Sequence, residues 1–265
     1  MSANRTLDSL DERNSESVSE RNSSDCSRAL RLLWITGGKG GVGKSTLARA
    51  LAHILPSAGV NVALFDGDPE NAQLFRFYQN VGDGVVRTPL AKRDGCDDIL
   101  AVMDEQRPGV VLVDAPAGGS QILLHLQEES GFLSEVAALG YAVTVVTVIT
   151  PVMDSVNMVV QALVTTEGHE VQQVVVKNLF FGQPDDFDLF DESKTKVAFD
   201  AADGVVLSMR DLLGKTFTAI DKQSLPFAVA LSKQGGVPYG DRARLKQWLT
   251  HLSDQVRAVP EVFGL

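Results

Sequence analysis

Eight residues, Gly38 to Ser45, read G-K-G-G-V-G-K-S and fit the pattern G-x-x-x-x-G-K-[ST]. Each residue type in that pattern answers a physical need. Glycines lack Cβ, so the chain can take positive φ and bring its N–H groups close to an anion. The helix that follows adds roughly half a positive charge at its N-terminus. Lys44 can reach the β- and γ-phosphates of a nucleotide, and the Ser45 hydroxyl can ligate Mg²⁺. A Gly-rich turn that matches by chance is the bland alternative. The setting argues against it, because an apolar run ends just before the loop and a helical pattern of Leu47, Ala50, Leu51 and Ile54 follows.

Two further stretches carry carboxylates in suitable places. The apolar run Val60–Phe65 ends in Asp66-Gly67-Asp68-Pro69, and the run Val110–Val113 ends in Asp114-Ala115-Pro116-Ala117-Gly118-Gly119. Ligands in open α/β sheets sit beyond the carboxyl ends of the strands, so acids there suit metal and water chemistry. An apolar strand ending in Asp is the Walker B arrangement, in which Asp114 holds the shell of a magnesium ion. The turn at Gly118 can offer a backbone N–H to a γ-phosphate. For the first pair the competing reading is an Asp-Gly turn with Pro69 stopping the strand.

These residues need elements to hold them. The pattern predicts strands over 31–36, 60–65, 110–113, 141–149, 171–176 and 204–209. Helices are predicted over 44–56, 71–78, 97–105, 120–140 with a break at Gly131, 154–165, 211–220 and 241–257. Regular alternation of strand and helix implies a doubly wound α/β fold: a mostly parallel sheet with helices on both faces. Residues 79–95 resist assignment. The stretch 180–203, rich in Phe and Asp, reads by default as a solvated loop, with an acidic partner-binding surface as the sharper alternative. Residues 1–28 hold almost no large apolar side chains and read as a disordered polar tail, leaving 29–265 as one domain.

The run Lys39-Gly40-Gly41-Val42-Gly43-Lys44-Ser45-Thr46 resembles the deviant Walker A box, K-G-G-x-G-K-[ST]-T, of the ParA/MinD ATPases. Asp66–Pro69 is similar to that family's D-x-D-P segment, and Asp114–Gly118 to its D-x-P-x-G segment, with Ala117 where a second proline is common. The resemblance implies an ATP- and Mg²⁺-dependent hydrolase that forms a homodimer on binding ATP. It implies that Lys39 reaches across to the partner's nucleotide and that Thr46 touches the α-phosphate. It assigns Asp68 to the attacking water and Asp66 to the water shell of the metal. It gives Asn178, at the end of the 171–176 strand, a hydrogen bond to the adenine base; an Asn capping a strand end is the plainer reading. The resemblance covers about Arg31 to Asn178 and thins beyond.

Composition bounds the rest. The chain has 265 residues, a formal charge of −10 and a mean hydropathy near zero. It holds no apolar run long enough to span a bilayer, and its polar first thirty residues do not look like a secretory leader. Cys26 and Cys96 form no framework. A cytoplasmic protein is the expectation. Net acidity argues against nucleic acid, but its distribution softens the argument. Residues 61–204 hold 8 Lys/Arg against 23 Asp/Glu, while residues 205–265 hold 8 against 5. Arg242, Arg244 and Lys246 are therefore candidate contacts for DNA phosphates, with a solvated helix face as the alternative. The amphipathic last helix and the tail 260–265 lack the basic and aromatic character of a membrane anchor. The expected role is a ParA-like switch that positions or segregates DNA or another cargo, together with an activator that the sequence does not identify. The alternatives are a metabolic or assembly ATPase of the same superfamily and a nucleotide-dependent interaction protein with negligible turnover.

Overall fold

The computed structural model describes residues 29–265, so the polar tail expected over 1–28 lies outside the described residues. The strands are β1 (Arg31–Gly37), β2 (Val62–Asp66), β3 (Val85–Arg87), β4 (Val110–Asp114), β5 (Ala142–Ile149), β6 (Val171–Asn178) and β7 (Val205–Met209). The helices are α1 (Lys44–Ser57), α2 (Gln73–Tyr78), α3 (Asp97–Glu105), α4 (Gly119–Ser130), α5 (Phe132–Ala138), α6 (Met153–Thr165), α7 (Asp188–Asp191), α8 (Lys194–Ala201), α9 (Gly214–Asp221), α10 (Phe227–Leu231), α11 (Tyr239–Ala258) and α12 (Pro260–Phe263). The strands form one parallel sheet in the order β3-β2-β4-β1-β5-β6-β7.

Alternation along each strand sorts side chains to the two faces. From β1, Leu33 and Ile35 join a core with α1, α2, α10 and α11. Leu32 and Trp34 join a second core with α3, α4 and α5. All four are fully buried, which explains why the strand reads as a continuous apolar run. Trp34 also donates its Nε1 hydrogen to Gly119 O at 3.2 Å, tying the central strand to the start of α4. The break expected at Gly131 is real: its φ of 65° ends α4 and starts α5.

The strand order decides where the site lies. Strand β1 has β4 on one side and β5 on the other, so consecutive strands diverge from it and open a crevice at their carboxyl ends. The register sets Asp114 beside both Ile35 and Asp66, and Gly37 beside Val148.

Several details differ from the sequence pattern. The unassigned stretch 79–95 contains the short edge strand β3. The helix expected from 211 begins at Gly214. The stretch 180–203 is not a solvated loop. A 3-10 turn at Pro184–Phe187 leads into α7 and α8, and Phe187, Phe190 and Phe199 pack with Ile149, Val156, Val159 and Val175 in a third core. Phe190 and Phe199 meet edge to face, with ring centroids 5.8 Å apart. The acids stay outside, so the mixed composition reflects an amphipathic fold-back rather than a disordered strip. At the C-terminus, Val262 and Phe263 of α12 enter the main core. Among the described residues, no helix is long and apolar enough to cross a membrane.

Candidate functional site

The loop 38–43 leaves β1 and enters α1 at Lys44. Gly41 and Gly43 take positive φ, 87° and 105°, so the loop curls as a phosphate cradle must. Gly43 is also sterically obligatory. A Cβ there would stand 2.4 Å from Asn178 Nδ2 and 3.0 Å from Met209 Cε.

Lys44 is buried at the start of α1. Burial lowers its pKa, and the charges of Asp114 and Asp68 oppose that shift. Asp114 is fully enclosed at the end of β4, and burial pushes its carboxyl up to about 7. The Ser45 hydroxyl and Lys44 pull it down, while Asp66 and Asp68 push it further up. Neither Asp114 oxygen has a hydrogen-bond partner among the described residues; the Ser45 hydroxyl is close enough to act on the carboxyl but does not meet hydrogen-bond geometry. Two buried hydroxyls on the other, α4-side face of the sheet, Thr36 Oγ1 and Ser120 Oγ, are likewise without partners among the described residues. Buried polar atoms normally find partners, so the Asp114 carboxylate is the group at this strand end suited to an ion or ligand.

The two acids after β2 are both engaged by backbone. Asp66 Oδ1 accepts from Asp68 N at 3.1 Å, and Oδ2 accepts from Phe75 N at 2.9 Å. Burial raises its pKa, against those same N–H groups. Asp66 thus anchors the loop that leads into α2. Asp68 Oδ1 accepts from Glu70 N and Asn71 N at 3.0 and 2.9 Å, forming an Asx turn. Gly118 takes φ 76° and starts α4, whose first turn closes onto its carbonyl from Gln121 N and Ile122 N.

Lys39 stands apart from these groups. It is 84% exposed and pairs with Asp154, 58% exposed, at 2.7 Å. That partner, on the first turn of α6, was not evident in the sequence. Ser45 and Thr46 are partly buried, and Thr46 lines a pocket of about 260 Å³ together with Gly41, Gly43, Asn178, Phe180, Phe181, Met209 and Trp248. Most of that lining comes from segments far apart in sequence, which no local pattern announces. The side chain of Asn178 donates to Val42 O at 2.8 Å and accepts from Phe180 N at 3.1 Å.

The basic residues of α11 lie elsewhere. Arg242 and Lys246, four apart, share one helix face, and Arg244 lies on another. Arg244 pairs with Asp241 at 3.0 Å, and the Arg242 guanidinium lies 5.7 Å from the centre of the Tyr239 ring. Lys246 lines a groove with His53, Asp254 and Arg257 at the far end of α1. The structure does not bring these three residues to the phosphate loop.

Comparison with known proteins agrees with this geometry. The chain is 26% identical over 220 residues to Protein MobD of Acidithiobacillus ferrooxidans, covering 83% of this chain and 93% of that protein. Among solved structures, the cell division protein MinD of Aquifex aeolicus superposes with a TM-score of 0.51 at 16% identity, covering 86% of this chain and 97% of that one. The Pyrococcus horikoshii MinD structure, in complex with Mg-ADP, gives 0.51 at 17% identity, covering 88% and 98%. At those identities the two structures share the fold. The family model described as the CobQ/CobB/MinD/ParA nucleotide binding domain matches residues 33–230. This chain therefore belongs to the CobQ/CobB/MinD/ParA family of nucleotide-binding proteins.

Proposed function

We propose that the protein is an ATP-driven switch of the ParA type: it binds ATP with Mg²⁺, pairs with a second copy, and hydrolyses ATP to separate again. The observation that carries this reading is the buried Asp114 carboxylate, without a hydrogen-bond partner, beside Ser45 and Lys44 at the mouth of the phosphate loop. An all-oxygen set of a hydroxyl and a carboxylate fits a hard divalent cation. Ser45 would hold the ion, with Asp114 in its water shell. Bound there, Mg²⁺ supplies charge neutralisation at the phosphate oxygens. The Pyrococcus horikoshii MinD structure with Mg-ADP is consistent with such a site.

The chain's own residues supply the rest. The N–H groups of residues 38–43 and the Lys44 ammonium bind the β/γ-phosphates and stabilise charge as it builds in phosphoryl transfer. Thr46 meets the α-phosphate. Asp68, held by its Asx turn, orients the attacking water, and Gly118 approaches the γ-phosphate. Lys39 leaves Asp154 and reaches the partner's nucleotide, so ATP cements the dimer and hydrolysis releases it. The cargo we propose is DNA, in plasmid maintenance, partition or transfer.

The test is self-association followed by sedimentation velocity with ATP, ADP or no nucleotide, alongside phosphate release. Wild-type protein is expected to dimerise with ATP alone and to turn ATP over only with Mg²⁺. Lys39→Ala is expected to bind ATP and stay monomeric. A monomer in every state, or a normal dimer from Lys39→Ala, would contradict the proposal.

A further inference from the structure

The turn that joins Asp114 to α4 runs through Ala115-Pro116-Ala117-Gly118 and is tied down at both ends. At its start, Ala115 N donates to Ile35 O at 3.0 Å. At its end, Gly119 O accepts the indole hydrogen of Trp34 at 3.2 Å. Between the ties, the N–H groups of Ala117 and Gly118 meet no hydrogen-bond partner among the described residues. Ala117 is exposed and Gly118 takes φ 76°, so these donors sit at an open bend rather than inside the core.

The tie at Gly119 is made by a side chain that cannot step aside. Trp34 is fully buried in β1, paired with Val113 of β4 and Val145 of β5, and its ring packs on Phe132 of α5 with centroids 6.1 Å apart. Gly119 is seated as closely. A Cβ there would stand 2.7 Å from Ala115 Cβ and 2.8 Å from Thr36 Oγ1. The indole N–H is a donor only, and a buried donor left without an acceptor is costly. The start of α4 is therefore favoured in the place where Gly119 O meets the indole. The same strand ends at Gly37, three residues beyond Trp34, where the phosphate loop begins.

We propose that Trp34 is a positioning residue for hydrolysis: its indole N–H fixes the start of α4 so that the free N–H groups of Ala117 and Gly118 meet the γ-phosphate as charge builds on it. This rests on the nucleotide reading above and deepens it. Strand β1 then aligns two sets of donors, the phosphate loop at its end and the 117–118 bend through the indole. The loop and Lys44 hold the bound nucleotide, whereas the bend acts on the group in transfer. Loss of the indole hydrogen falls on turnover and not on affinity.

The experiment compares wild type, Trp34→Phe and Phe132→Leu by calorimetric ATP binding with Mg²⁺ and by phosphate release. Trp34→Phe keeps an aromatic ring and loses the donor, while Phe132→Leu disturbs the packing of the same indole and keeps the donor. Trp34→Phe is expected to bind ATP within about twofold of wild type and to turn it over at least about tenfold more slowly. Phe132→Leu is expected to stay within about twofold on both counts. Wild-type turnover in Trp34→Phe, an equal loss in Phe132→Leu, or a loss that appears in affinity instead of turnover would overturn the inference. Should Trp34→Phe fail to fold, the indole N–H resonances of isotope-labelled wild type give a second measurement, with Trp248→Phe telling Trp34 from Trp248. The Trp34 resonance is expected to differ between Mg-ADP and Mg²⁺ with a non-hydrolysable ATP analogue, and an identical resonance in both would overturn the inference. Wild-type protein that binds no ATP would overturn the nucleotide reading itself, a different result from any of these.

Discussion

Asp114 and Lys44 would divide the labour of the proposed phosphate site. One is a buried acid with no hydrogen bond, and the other is a buried cation at a helix N-terminus. Charge-assisted hydrogen bonds are worth about 1.5–3 kcal/mol each, and on the proposed reading Lys44 makes two, to adjacent phosphates. Lys44→Ala is therefore expected to reduce ATP affinity by roughly 100-fold or more, measured calorimetrically; retained affinity would remove the loop from the mechanism. Asp68 calls for a gentler change, because its carboxylate also closes a turn. Asp68→Asn keeps the Oδ1 acceptor, so ATP binding should stay within about threefold while hydrolysis falls about 100-fold, in the range expected for loss of an acid–base group. Full turnover in that variant would show that Asp68 only shapes the loop. At this scale the sequence was most legible where one short motif holds all its parts, as from Gly38 to Thr46. It was least legible where a residue's use depends on a distant partner. Nothing near Lys39 announces Asp154, and nothing near Asn178 announces Val42 O. Nor does the D-G-D-P spacing show that both oxygens of Asp66 hold backbone.

At the scale of elements, the core strands were readable because a parallel sheet covered on both faces must be largely apolar, as β1, β4 and β5 are apart from Arg31, Thr36, Asp114, Thr144 and Thr147. The 180–203 segment defeated the same logic. Its apolar residues are too few and too unevenly spaced for a helix-length periodicity, and Phe187, Phe190 and Phe199 find their partners on the distant α6, β5 and β6 as well as in one another. That packing makes a prediction separable from chemistry. Phe190→Ala should lower unfolding free energy by about 3–5 kcal/mol, the usual cost of cutting a buried Phe to Ala. Denaturant titration measures the loss. ATP affinity should be unchanged, since α7 lines neither the loop nor the pocket beside it. A variant that keeps its stability would mean that the third core is loose.

For the whole molecule, charge is the property that the sequence shows and the fold redistributes. The acidic body, residues 61–204, and the mildly basic end, residues 205–265, are separate in sequence, but α11 packs across the same core as α1 and α2. A duplex approaching the acidic body would be repelled, so within residues 61–265 a DNA contact falls to the C-terminal helices. Within α11 the structure narrows the candidates: Arg244 is held by Asp241, and Arg242 and Lys246 share a face. One monomer then offers two cations and a dimer four. Affinity for non-specific duplex DNA should appear with ATP and vanish with ADP. Its logarithm should fall against the logarithm of salt concentration with a slope of roughly −4, near −0.9 for each phosphate neutralised. The double variant Arg242→Ala, Lys246→Ala should flatten that slope while leaving ATP hydrolysis intact. Filter binding across a salt series at fixed nucleotide measures both. Binding that ignores nucleotide, or a slope that the double variant does not change, would move the cargo away from DNA. The acidic surface of the 3-10 turn and α7, with Asp185, Asp186, Asp188 and Asp191 exposed, would then be the place to look for a protein partner.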